Sequence, residues 1–106
     1  MNDIAMDSSG WRALAESLQP DTVALRRAIH EEPELGLETP KTLAKVKAAL
    51  AGLPLEWKQG PSSTGAIAVL RGAKPGRTVL LRGDMDALPM PEDTGLPFNL
   101  LFSFFE

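Results

Sequence analysis

Leu80-Leu81-Arg82-Gly83-Asp84-Met85-Asp86-Ala87-Leu88-Pro89 is the stretch that decides the fold class. An apolar run passes directly into two aspartates one residue apart, then into a loop closed by proline. Consecutive apolar residues suit a strand buried on both faces, the kind found where helices cover a sheet. In open α/β sheets, ligands gather beyond the carboxyl ends of strands, where loops aim polar groups into one crevice. Asp84 and Asp86, at i and i+2, leave an extended strand on the same side, within reach of one cation or substrate. The same spacing also serves plain turn chemistry, with aspartates capping backbone amides. On spacing alone both readings stay open.

Upstream of this stretch, residues 66–70 form another short run rich in Val, Ile and Leu. Gly72, Pro75 and Gly76 separate it from residues 78–81, and that joining loop suits an antiparallel hairpin. Leu55, Trp57 and Gln59 alternate with more polar neighbours, as in an edge strand. Gly60 to Gly65 is turn material. Further upstream, Thr39 followed by Pro40 predicts a helix start, with a capping residue and proline at the first helical position. Leu43, Val46, Leu50 and Leu53 continue it as an apolar stripe, and Gly52 and Pro54 stop it.

Trp11, Leu14 and Leu18 share one face of an earlier helix, with Ser8 or Ser9 as its cap. Pro20 interrupts that pattern, and Asp21 can cap a second run over 22–32 carrying Val23, Leu25, Ala28 and Ile29. One kinked helix or two separate helices both fit. Pro33 ends the segment, because the residue before a proline is pushed out of helical geometry. Residues 1–10 read as a flexible lead-in. The expected fold is α/β, with two or three N-terminal helices followed by about three strands of a mixed sheet.

The 106 residues suit one small domain, and a net charge of -3 with scattered Lys and Arg argues against a nucleic-acid surface. With no cysteine, the chain has no disulfides and no thiolate metal ligands. The amino terminus lacks the basic start and apolar core of a signal peptide, and no stretch approaches the roughly 18 apolar residues of a membrane span. A soluble, cytoplasmic protein is expected. His30, the one histidine, sits late in a helix beside Glu31 and Glu32, where a structural role suits it better than a ligand role. Trp11 and Trp57 read as packing residues.

Two runs then carry a resemblance. Leu25-Arg26-Arg27-Ala28-Ile29-His30-Glu31-Glu32-Pro33-Glu34-Leu35-Gly36 and Arg82-Gly83-Asp84-Met85-Asp86-Ala87-Leu88-Pro89 both resemble the zinc-dependent amidohydrolases of the aminoacylase, hippurate hydrolase and auxin-conjugate hydrolase family. So do Ser63-Thr64-Gly65, Pro75-Gly76-Arg77-Thr78-Val79 and Glu92-Asp93-Thr94-Gly95-Leu96-Pro97-Phe98. The five matches stand in the family's order over roughly residues 20 to 98.

The resemblance implies an incomplete catalytic domain of a zinc-peptidase-like fold over residues 11–98, in a family that also carries a dimerisation domain. It implies hydrolysis of amide bonds in N-acyl amino acids or related conjugates by water activated on two divalent metal ions, zinc or manganese. By the same resemblance Asp84 stands at a metal-ligand place, and Asp86 at the place of an aspartate that orients a ligand. The His30 and Glu34 motif is typical of the branch, with no metal role assigned.

After Phe98 the resemblance stops. Family members continue into a Cys-Gly-His-Asp-Gly-His type segment that supplies metal ligands, and later to a catalytic glutamate. Residues 99–106, Asn99-Leu100-Leu101-Phe102-Ser103-Phe104-Phe105-Glu106, instead form an apolar tail, which reads as a frameshift or premature stop, or as one more packed strand. Without those ligands the chain alone is expected to bind no metal pair and to be inactive. An open sheet edge and a Phe-rich tail predict self-association. Two rival readings remain: a binding module that docks through that edge and the Phe-rich tail, and a small domain whose DxD pair is only a solvated turn.

Overall fold

The computed structural model describes residues 7–90 and 97. Two helices precede a two-stranded sheet, in the order α1 Ser8–Glu31, α2 Pro40–Ala49, β1 Glu56–Gln59 and β2 Ala66–Val69. Of the expected lead-in over residues 1–10, residues 8–10 are the first of α1, and residues 1–6, the similarity over residues 92–96 and 98, and the tail at 99–106 lie outside the described residues.

One helix, not two, spans the amino-terminal part. It is capped one residue earlier than expected, by Asp7, whose carboxylate accepts the Gly10 amide at 3.0 Å and the Ser9 hydroxyl at 2.7 Å. Pro20 lies inside it and Asp21 starts nothing. A proline removes one intrahelical donor and crowds the preceding turn. In a helix of 24 residues the remaining bonds carry the chain past that loss. No residue of α1 is fully buried, and Trp11, Leu14 and Leu18 are exposed. Its C-terminal half is better covered: Val23, Leu25, Ala28 and Ile29 are half-buried where α1 meets α2.

Helix α2 begins where Thr39 and Pro40 place it, and the Leu43 amide donates to the Thr39 carbonyl at 2.9 Å. It ends at Ala49, before Gly52. The Leu50 amide reaches both the Val46 and Lys47 carbonyls, at 3.1 and 3.3 Å, and the backbone tightens out of the helix. Leu50 and Leu53 therefore fall beyond the helix, although they continue its apolar spacing.

The hairpin is formed by a different pair of runs from the expected one. β1 pairs with β2 antiparallel, Glu56 opposite Val69 and Gln59 opposite Ala66. Arg71 closes its open end, donating to both Glu56 oxygens at 3.0 and 3.2 Å. Lys47 of α2 lies 5.4 Å over the Trp57 ring and ties the sheet to the helix. Residues 78–81 form no strand, and Val79, Leu80 and Leu81 are 82%, 84% and 90% exposed. The third strand of the expected mixed sheet is thus absent from the described residues. Apolar composition shows that a run is suited to burial, but a strand also needs neighbours for its backbone groups.

The buried centre is small and largely polar. Pro33, Thr39, Thr42, Leu43 and Thr64 are buried. The radius of gyration, 17.1 Å, exceeds the roughly 13 Å of a compact domain this long. No described helix is long and apolar enough to cross a membrane.

Candidate functional site

Around Glu34 the loops that precede and follow the secondary structure meet. Pro33 ends helical geometry, and Gly36, at φ +63°, turns the chain through a conformation that suits glycine. This returns the backbone so that the Glu34 carboxylate reaches the start of α2, where Oε1 accepts the Thr42 amide at 2.6 Å. A carboxylate there satisfies an amide that the helix leaves without a partner and faces the positive end of its dipole. Burial pushes the Glu34 carboxyl up, but the Thr42 and Lys41 backbone amides outweigh it and hold the group below its ordinary value. Beside it, Glu32 pairs with Lys45 at 2.9 Å, and that ammonium holds the Glu32 carboxyl below its usual range.

Thr39 does not cap with its own side chain. Its hydroxyl turns instead to Thr64, 2.9 Å away. Thr64 Oγ1 donates to the Leu37 carbonyl at 3.0 Å and accepts the Thr39 amide. One hydroxyl has a single proton, so the Thr39 hydroxyl must be the donor in the threonine pair. The Thr64 amide adds a bond to Leu37 at 2.9 Å. Every hydrogen-bonding position of Thr64 Oγ1 is filled, and the 63–65 turn is pinned to the loop before α2.

The loop carrying the aspartates joins the same place. The Ala87 amide donates to the Glu34 carbonyl at 2.8 Å. Met85 and Ala87 are half-buried while Asp84 and Asp86 are exposed. Both aspartates thus share the outward side, the disposition expected of residues two apart in extended chain. Asp84 is engaged by Arg82, whose Nη2 lies 2.8 Å from its Oδ1 in an exposed pair. His30 lies in the last turn of α1.

Three of the runs that carry the resemblance are therefore brought together: 25–36, 63–65 and 82–89. What they do not form is a metal centre, for among the described residues no three His, Cys, Asp or Glu stand close enough to hold an ion. The roles of Glu34 and of the Thr39–Thr64 pair were not legible in the sequence. The available signal was a glutamate between Pro33 and Gly36, a short turn ahead of a Thr-Pro helix start.

Comparison with known proteins bears on the same residues. The chain is 44% identical over 78 residues to thermostable carboxypeptidase 1 of Saccharolobus solfataricus, covering 73% of this chain and 20% of that protein. It is 43% identical over 80 residues to the N-acetyldiaminopimelate deacetylase of Listeria welshimeri, covering 73% of this chain and 21% of the relative. A Rhodococcus jostii protein provisionally named glutamate–cysteine ligase 2-3 is 40% identical over 89 residues, 84% of this chain but only 11% of that protein. The chain thus spans about a fifth of the length of the carboxypeptidase and deacetylase relatives. No family model matches the chain, and no solved structure matches it.

Proposed function

We propose a function on the footing of a family relationship: over its matched residues this chain is an N-terminal part of the amidohydrolase and carboxypeptidase family. In this reading it forms part of a catalytic domain of zinc-peptidase-like fold. The reaction is hydrolysis of an amide bond, in an N-acyl amino acid or a related conjugate, and the family's two divalent ions are zinc or manganese.

The observation that carries the proposal is the Ala87–Glu34 bond, which holds the aspartate loop against the helix-start loop. It supports reading residues 82–89 as a positioned element. Asp84 would offer a carboxylate to a cation and Asp86 would orient a ligand beside it, each by similarity of position. The described residues do not fit a metal pair by themselves, since they hold no cluster of three donors and Arg82 occupies Asp84. No step of hydrolysis is assigned to an ion on these residues. The remaining donors would come from a part of the protein corresponding to the other four-fifths of the relatives.

A chimera tests this reading. Residues 20–98 replace the matching segment of the Saccharolobus carboxypeptidase, and peptide and N-acyl amino acid hydrolysis are followed. The chimera should be active, and Asp86→Ala in it should lower kcat/KM by about 10–100-fold, the usual cost of losing a residue that orients a metal ligand. A folded chimera with no activity, or an Asp86→Ala form as active as its parent, counts against the proposal.

A further inference from the structure

Thr39 stands at the cap position of α2 but gives its side chain to Thr64, so the helix takes its cap from Glu34, further upstream. A cap on Thr39 itself would satisfy the same amide without constraining any other part of the chain. The remote cap adds a constraint that the helix does not need, for it fixes where residue 34 lies. Gly36, at φ +63°, completes the fold-back that makes this reach. What residue 34 holds from that position is the Ala87 amide, which donates to its carbonyl at 2.8 Å.

The Ala87 nitrogen belongs to the peptide unit whose other end is the Cα of Asp86. That unit is planar, because resonance stiffens its C–N bond. Holding the N–H therefore holds the Asp86 carbonyl and Cα with it. Met85 and Ala87, both half-buried, restrain the chain on either side. From the first turn of α2 to the Asp86 backbone the connection is two hydrogen bonds and one residue.

We propose that Glu34 is a positioning residue for Asp86: its carboxylate, clamped on the Thr42 amide, sets the carbonyl that aims the Asp86–Ala87 peptide. This rests on the reading of Asp86 as the aspartate that orients a ligand, and it gives Glu34 a task within that site. It depends on bonds made inside residues 34–87, so what lies against the exposed faces does not enter it. A group that only stabilised the fold would act on every part of the centre alike. Thr64 provides the comparison, because its amide is held by the Leu37 carbonyl at 2.9 Å, a bond in which Glu34 has no part. A positioning group acts through the residue it positions, so its loss costs nothing further once that residue is gone.

The test joins hydrogen exchange to a double-variant cycle. In the full 106-residue chain, and again in the carboxypeptidase chimera, the Ala87 amide should be protected from exchange. Glu34→Ala should speed exchange at Ala87 roughly tenfold more than at Thr64, the share of one hydrogen bond. Glu34→Gln, which keeps an acceptor for the Thr42 amide, should restore most of that protection. In the chimera Glu34→Ala should lower kcat by about 10-fold with KM unchanged, within the cost of Asp86→Ala itself. Added to Asp86→Ala, it should lower kcat no further. Equal acceleration of exchange at Ala87 and Thr64, or kcat losses that multiply in the double variant, would overturn the proposal. An inactive parent chimera counts against the family reading alone, and Ala87 exchange then decides between a Glu34 that fixes the Asp86 backbone and one that does not.

Discussion

The Glu34 carboxylate accepts the Thr42 amide at 2.6 Å, so a loop residue eight positions upstream closes the amino end of α2. Its own carbonyl meanwhile accepts the Ala87 amide at 2.8 Å. One residue thus joins a helix start to the aspartate loop by two separate bonds.

Removing that carboxylate should loosen α2 first. Glu34→Ala is expected to cost about 0.5–2 kcal/mol, the range for losing a helix cap. Glu34→Gln keeps an acceptor but not the charge, and should cost about half as much, since bonds to charged groups are roughly twice as strong. Urea titration followed by helical circular dichroism measures both. Equal losses from the two variants would show that the charge carries the whole interaction, and no loss in Glu34→Gln would show that it contributes nothing.

Stability should fall in acid, with a sign set by two glutamates. The Lys45 ammonium holds Glu32 below its ordinary value, and the α2 backbone amides overcome burial to do the same for Glu34. A carboxyl depressed in the folded state contributes stability above its unfolded value, roughly 4.3, and that contribution is lost as pH falls through the folded value. The acid transition of the native chain should therefore flatten in Glu34→Gln. An unchanged profile below pH ~4.3 would place the depressed groups elsewhere.

Two buried threonines should respond in opposite ways to the same substitution. Thr64→Val strands the Thr39 amide and hydroxyl, both bonded to Thr64 Oγ1, at a cost of about 1–3 kcal/mol. Thr42 Oγ1 is buried and faces the Glu34 carboxylate, without hydrogen-bond geometry to it or to any other described residue. Thr42→Val should then be neutral or stabilising, because it removes a polar atom that burial penalises. Chemical denaturation of the two variants side by side decides it, and a loss above about 1 kcal/mol at Thr42 would mean its hydroxyl bonds the Glu34 carboxylate.

Gly36 offers a purely conformational test. A Cβ there would meet nothing within 4 Å, so space does not exclude a side chain. Its φ of +63° does, at about 1–2 kcal/mol for alanine. Gly36→Asn should lose less than Gly36→Ala, because asparagine tolerates left-handed backbone better. Equal stability for all three would show that the turn relaxes.

What the sequence made legible was local chemistry. Thr39-Pro40 places the start of α2 because capping residue and proline act within one turn. The outward side shared by Asp84 and Asp86 follows from the two-residue repeat of extended chain. Partnership was not legible. Residues 78–81 are apolar enough for a buried strand, yet nothing in them names the neighbour they need, and β2 pairs with β1 instead. Glu34 was hidden for the same reason, since its work depends on a fold-back through Gly36. The continuity of α1 through Pro20 depends on 24 residues acting together, which a local breaker signal does not weigh.

That continuity can be pressed further. Pro20 removes the amide that would bond the Glu16 carbonyl, and it sits where every neighbour from residue 11 to 22 is exposed. No packing in this stretch repays the loss. Pro20→Ala should therefore raise helix content and stabilise α1 by up to about 3 kcal/mol, the difference between the two residues in a helix interior. Circular dichroism at 222 nm during thermal melting reads the change. If the proline instead sets a bend that docks Val23, Leu25 and Ile29 against α2, straightening the helix would pull that half-buried face away. Helicity would then rise while the α1–α2 contact weakened, and protection of the Leu43 amide from hydrogen exchange would drop. A gain in helicity with Leu43 protection unchanged means that α1 docks through its C-terminal half alone.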